Sequence, residues 1–179
     1  DDVAVALKTA ADNGAQIVTM SFGSDSTSSL VSDAISYADK KGVFMIAAAG
    51  NDGPYPESID YPASSPEVVS VGAIDVRDII ADWSSRGTNG ATKHYERNKG
   101  DMELVAPGVN VESTWKDGGY AILSGTSMAV PHVAGLAAKL WEKDAEDPAA
   151  ATRDLLHKIT RDIPPEGDDD VSGWGLPQP

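Results

Sequence analysis

With 179 residues, 41% of them hydrophobic, the chain suits one packed domain, residues 1–179, rather than a disordered segment. The absence of cysteine excludes disulfides, a thiolate nucleophile and a cysteine-held zinc, and no apolar run approaches the ~18 residues of a membrane span. Asp and Glu number 28 against 14 Lys and Arg; the net charge of −14 repels nucleic acid and anionic membranes and suits an acidic surface, including one adapted to high salt.

Asp1-Asp2 opens directly onto a helical pattern rather than onto a leader, as a mature or trimmed chain would. Val3, Ala6, Leu7, Ala10 and Ala11 repeat at helical spacing, and Asn13-Gly14 supplies a stop. Ile17 to Met20 reads as a short buried strand, followed by Ser21-Phe22-Gly23 and a serine-rich loop. A second helix is expected from Ser29 to Lys41, closed by Gly42. The run Val43 to Ala48 is continuously apolar, as in a parallel sheet covered on both faces. Val68 to Ile74 and Leu104 to Ala106 read as further strands, and the polar stretch Arg86 to Asp101 as a surface loop. A third helix is predicted from Ser127, with Pro131 near its first turn and Val133, Leu136, Ala137, Leu140 and Trp141 on one face. A fourth starts near Asp147-Pro148 and turns Leu155 and Ile159 inward; Pro164 to Asp170 reads as a loose acidic tail. Helices alternating with apolar strands predict an α/β fold in three layers, a mainly parallel sheet with helices on both faces. Ligands in such sheets bind beyond the carboxyl ends of the strands, where Asn51 and Ser21-Phe22-Gly23 fall.

Ser127 stands where the third helix begins, so it meets the positive end of the helix dipole and free N–H groups. A serine there is also an ordinary helix cap. The nucleophile elbow of another hydrolase class needs Gly-x-Ser-x-Gly, and Ala129 occupies its last position. The longer string, Gly125 to Gly135 (GTSMAVPHVAG), resembles the active-site serine signature of the subtilisin-like serine proteases, with Val130 in place of a small Ser or Thr. The resemblance runs from the first helix to Gly173-Trp174-Gly175-Leu176.

That resemblance implies Ser127 as the acylated nucleophile. It implies Asn51, in Ala48-Ala49-Gly50-Asn51, as the side-chain donor to the oxyanion beside the Ser127 backbone N–H. It further implies that Ser21-Phe22-Gly23 pairs with substrate as an added strand. Ala48, Ala49 and Gly50 would then wall the pocket for the residue before the cleaved bond, and Gly125 and Thr126 would border the site. Asp60, before Tyr61-Pro62, falls at the base of that pocket; it either favours Lys or Arg there or turns outward to solvent. No cofactor is expected. Backbone oxygens of Ala63, Ser65 and Val68 are candidates for a structural calcium or sodium, against a loop that holds no ion.

The family's histidine lies in a His-Gly-Thr-His string and its aspartate in Asp-Thr/Ser-Gly; neither string occurs. His94, His132 and His157 do not resemble the base, and His132 is expected to point away from the Ser127 hydroxyl. The expected partners are a peptide or protein substrate and the part of the protease that carries the base, or a pro-segment. Secretion is the compartment that the family implies. A non-catalytic peptide-binding module, or a pseudo-enzyme that assembles with another chain, is the alternative.

Overall fold

The computed structural model describes residues 2–89 and 98–179. Helix α1 (Asp2–Asp12) turns Ala4, Leu7 and Ala11 inward, at the spacing that keeps one face of a helix together. Strand β1 (Ile17–Met20) leads to α2 (Ser29–Lys40), whose first turn is capped by the Ser28 hydroxyl accepting from the Val31 N–H at 3.5 Å. Strands β2 (Phe44–Ala48), β3 (Val68–Ile74) and β4 (Leu104–Pro107) follow.

These four strands form one parallel sheet in the order β1-β2-β3-β4, in register through Met20↔Ala47, Ala48↔Val71 and Ala73↔Ala106. All of β2 and β3 is buried, which is why their sequences are apolar without alternation. Met45 and Ala47 face α1 and α2, with Leu7, Ala34, Ile35 and Ala38. Phe44, Ile46 and Ala48 face the opposite layer, with Ala129, Val133 and Ala137 of α3 (Thr126–Lys139) and Leu156 of α4 (Pro148–Lys158). The expected three-layer α/β architecture is therefore observed.

Two small antiparallel ribbons complete the chain. Strands β5 (Val111–Thr114) and β6 (Tyr120–Leu123) form a largely exposed hairpin just ahead of α3; β7 (Thr160–Arg161) and β8 (Leu176–Pro177) pair behind α4. Neither was expected, because short exposed strands lack the apolar run that marks β2 and β3.

Several expectations need correction. Arg86 is buried rather than on a surface loop, and its guanidinium donates to the Ser84 carbonyl at 2.8 Å. The acidic tail is anchored: Asp168 and Asp169 are buried, Asp168 accepts from Asn89, and Asp169 accepts from the N–H groups of Val171 and Ser172 and the Ser172 hydroxyl. On α4 the inward residues are Thr152, Arg153 and Leu156, with Leu155 only partly buried. That face takes a charge because Arg153 makes a two-pronged ion pair with buried Glu103, at 2.7 and 2.5 Å. His157 binds the same carboxylate at 2.8 Å and stacks on Trp174. Burying a cation on a helix face is tolerable only with such a partner.

Pro131 lies inside α3, one residue deeper than a start at Ser127 would place it. Its missing N–H would have bonded the carbonyl of Ser127, four residues earlier. The Ser21 hydroxyl donates to that carbonyl instead, at 3.0 Å. The proline thus ties the start of α3 to the loop after β1.

Candidate active site

The carboxyl ends of β1 and β2 and the amino end of α3 meet at one corner of the sheet. The loop after β1 supplies Ser21, the loop after β2 supplies Gly50 and Asn51, and the start of α3 supplies Thr126 and Ser127. Two interlocking sets of hydrogen bonds hold them. The Ser127 hydroxyl donates to the Ser21 carbonyl at 3.1 Å while the Ser21 hydroxyl donates back to the Ser127 carbonyl. The Asn51 side-chain oxygen accepts from the Thr126 N–H at 3.0 Å and the Thr126 hydroxyl at 3.2 Å, and the Gly50 N–H reaches that same hydroxyl oxygen at 3.2 Å. Thr126 is fully buried, so it acts as a fixed post between the two loops.

This bonding orients the Asn51 amide. Its oxygen is engaged, so its nitrogen points away as a donor. The Ser127 N–H is one of the donors that a helix start leaves without a helical partner. Both nitrogens flank one point: a side chain carbon added at Gly125 would stand 3.8 Å from the Ser127 N and 3.9 Å from Asn51 Nδ2. Gly125 has φ +155, a value that side-chain-bearing residues rarely adopt, which keeps this approach bare. A half-buried hydroxyl thus stands near two nitrogen donors, groups of the kind that can stabilise negative charge on an oxygen.

Beyond Ser127, the β5–β6 hairpin and α3 enclose a groove of about 320 Å³ lined by Val111, Glu112, Ser113, Met128, Pro131 and His132. On the other side, Phe22 and Gly23 are exposed, and their chain turns back at Ser24, which exchanges backbone hydrogen bonds with Tyr61 at 2.9 Å each way. Ala48, Ala49 and Gly50 are all buried, and Ala49 donates to Val71 and accepts from Asp60, so the three are packed into the sheet end. The Asp60 carboxylate lies between Gly23 and Gly50: one oxygen is 2.5 Å from where a Gly23 side chain would begin and 2.8 Å from the same point on Gly50. Burial, with the charges of Asp52 and Asp25 behind it, raises the Asp60 pKa above its ordinary value. The contribution of Asp25 and Asp52 was missed in the sequence, although Asp52 directly follows Asn51.

No described histidine approaches the Ser127 hydroxyl. His132 Nδ1 is bonded to the Met128 carbonyl of its own helix at 2.9 Å, and His157 is committed to Glu103. His94 lies outside the described residues. Around the candidate cation oxygens, Ala63 and Val68 are buried and the Ser65 carbonyl already accepts from the Val68 N–H at 3.0 Å, so the loop is held by its own bonds. Among the described residues no group of three or more His, Cys, Asp and Glu is placed to hold a metal.

The fold and this corner define a class: a parallel α/β protein that gathers a helix-end serine, its N–H and an asparagine amide beyond the sheet's carboxyl end. The family model of the subtilases (peptidase S8) matches residues 1–175, and the chain belongs to that family. It is 43% identical to a subtilisin of Bacillus sp. (strain TA39) over 98% of its own length and 46% of that protein's. It superposes on the "S41 Psychrophilic Protease" with a TM-score of 0.93 at 43% identity, and on Sphericase with 0.93 at 39%. Each superposition takes in 99% of this chain and 63% of the solved one, so the chain spans about half to two thirds of these relatives.

Proposed function

We propose that this chain is the serine-bearing part of a serine endopeptidase that cleaves peptide bonds through an acyl-enzyme on Ser127. The observation that carries the reading is the pair of donors, Ser127 N–H and Asn51 Nδ2, set around the point next to the nucleophile. In the proposed reaction the Ser127 oxygen attacks the scissile carbonyl carbon, and the carbonyl oxygen takes the negative charge facing those donors. At rest the Ser127 hydroxyl keeps its proton and donates a hydrogen bond to the Ser21 carbonyl, which is too weak a base to remove it. A general base and its orienting acid must come from sequence outside these 179 residues.

The substrate backbone lies along Phe22 and Gly23, adding a strand, and Gly125 and Thr126 border the reacting bond. The partner proposed to complete the site is the base-bearing part of the same protease, and an open strand edge with an apolar groove beside it supports that reading. Strand β1 is at the edge of its sheet, and an apolar groove of about 420 Å³ runs beside it between Val3, Leu7, Val18, Met20 and Phe22. No cofactor enters this chemistry; any calcium or sodium at the Ala63–Val68 loop is structural. Secretion is the matching compartment, and among the described residues no helix is long and apolar enough to cross a membrane.

The experiment compares the 179-residue chain with the full-length protein on an unstructured protein substrate. Turnover by the full-length protein, its loss in Ser127→Ala and none from the 179-residue chain is the expected pattern. A second reading, a non-catalytic peptide-binding module, is favoured by the lack of a described histidine at Ser127; peptide binding without turnover in the full-length protein establishes it instead.

A further inference from the structure

Asn51 lies on an exposed loop beyond β2, yet the proposed reaction needs its amide held in one place. The bonds from Thr126 set the amide plane. They do not set the direction in which the side chain leaves the backbone. That direction depends on the φ and ψ of Asn51, which are fixed once the peptide planes on either side of it are fixed.

One residue holds both planes. The Ser85 N–H donates to the Gly50 carbonyl at 3.1 Å, which ties down the plane before Asn51. The Ser85 hydroxyl accepts from the Asp52 N–H at 3.2 Å, which ties down the plane after it. Ser85 is fully buried behind the loop, and a side chain begun at Gly50 would meet its hydroxyl oxygen at 2.8 Å. Its own support is well bonded. The Ala73 N–H of β3 donates to the neighbouring Ser84 hydroxyl at 3.1 Å, the Arg86 guanidinium donates to the Ser84 carbonyl, and the Arg86 N–H donates to the Ser58 hydroxyl at 2.9 Å. The Gly53 N–H bonds the Trp83 carbonyl at 3.0 Å and extends the seam by one residue. The loop that carries Asn51 is thus fastened to a segment anchored on β3, while Asn51 and Asp52 themselves are exposed.

We propose that Ser85 is the positioning residue of the oxyanion donor: by clamping the peptide units on both sides of Asn51 it aims the amide nitrogen, without touching substrate. The proposal rests on the peptidase reading above. Replacing Ser85 by alanine keeps the backbone bond to Gly50 but removes the acceptor for Asp52. The ψ of Asn51 is then released, and the donor is no longer preorganised as charge develops.

The test measures kcat and KM of Ser85→Ala in the full-length protein, with active sites counted by fluorophosphonate titration so that only folded enzyme enters kcat. The expected kcat falls about tenfold with KM changed by less than about twofold, as when a catalytic donor is loosened rather than lost. In an Asn51→Leu background the same change is expected to lower kcat by less than about twofold, because the group it positions is gone. Ser85→Cys nearly keeps the buried volume with a weaker acceptor, shows the same pattern with a smaller loss, and carries the test if the alanine variant does not fold. An undiminished kcat in both variants, a change confined to KM, or an equal loss with and without the Asn51 amide overturns the proposal and leaves the peptidase reading standing. No turnover by the unaltered full-length protein overturns both.

Discussion

At the scale of single residues, Asn51 is held by its oxygen, which leaves its nitrogen for the role in the proposed reaction. The two bonds from Thr126 fix the amide plane, so no reorganisation is needed as charge develops on the substrate oxygen. Asn51→Leu is therefore expected to lower kcat by about 10²–10³ with little change in KM, a magnitude taken from such a deletion in a subtilisin. Steady-state kinetics on the full-length variant check it, and an equal loss in KM alone contradicts the role. That Ser127 and Asn51 belong to one corner was legible because each sits in a short string that resembles a segment of the subtilisin-like proteases. The setting of Asp60 was half legible: its place before Tyr61-Pro62 was readable, but the field from Asp25 arises from folding and from no local pattern.

Elements are placed here by apolar faces and by one buried ion cluster. Helices α1 to α3 follow from their hydrophobic period, since each buries a face against the sheet, and strands β2 and β3 from unbroken apolar runs buried on both faces. The inward face of α4 did not follow, because Arg153 and His157 look like surface residues until Glu103 is set against them. For Glu103 burial alone would raise the carboxyl pKa, but the Arg153 charge, the His157 hydrogen bond and the Arg153 hydrogen bond together bring it down to about 2. The folded state then binds this proton less tightly than the unfolded state. Its stabilisation is full above the ordinary value of 4.5 and is lost as pH falls towards about 2. Glu103→Gln leaves the Arg153 cation buried without its counter-charge and is expected to cost about 3–5 kcal/mol. Urea unfolding at neutral pH measures that loss. The same comparison in acid should show the gap between the two proteins narrowing between pH 4.5 and about 2.

Across the whole molecule, the net charge of −14 and the bare edge of β1 dominate. Like charges spread over one small surface repel, and raising ionic strength from about 0.1 to 1 M shortens their reach from about 10 to 3 Å. The thermal midpoint is expected to rise over that range; a fall would show that local ion pairs outweigh the overall repulsion. The groove between α1 and β1 leaves apolar surface beside that open edge. The loose tail was misread because Asp168 and Asp169 are held by partners distant in sequence or by a tight local turn, which composition does not reveal. The central claim is that Ser127 is the nucleophile of a peptidase completed by sequence outside this chain. Treating the full-length protein with a fluorophosphonate and mapping the adduct by peptide mass spectrometry tests it most directly. A single adduct on the peptide holding Ser127, formed in step with loss of turnover and absent in Ser127→Ala, is the predicted result. Turnover that survives Ser127→Ala, or loss of turnover with the adduct on another serine, would contradict the account.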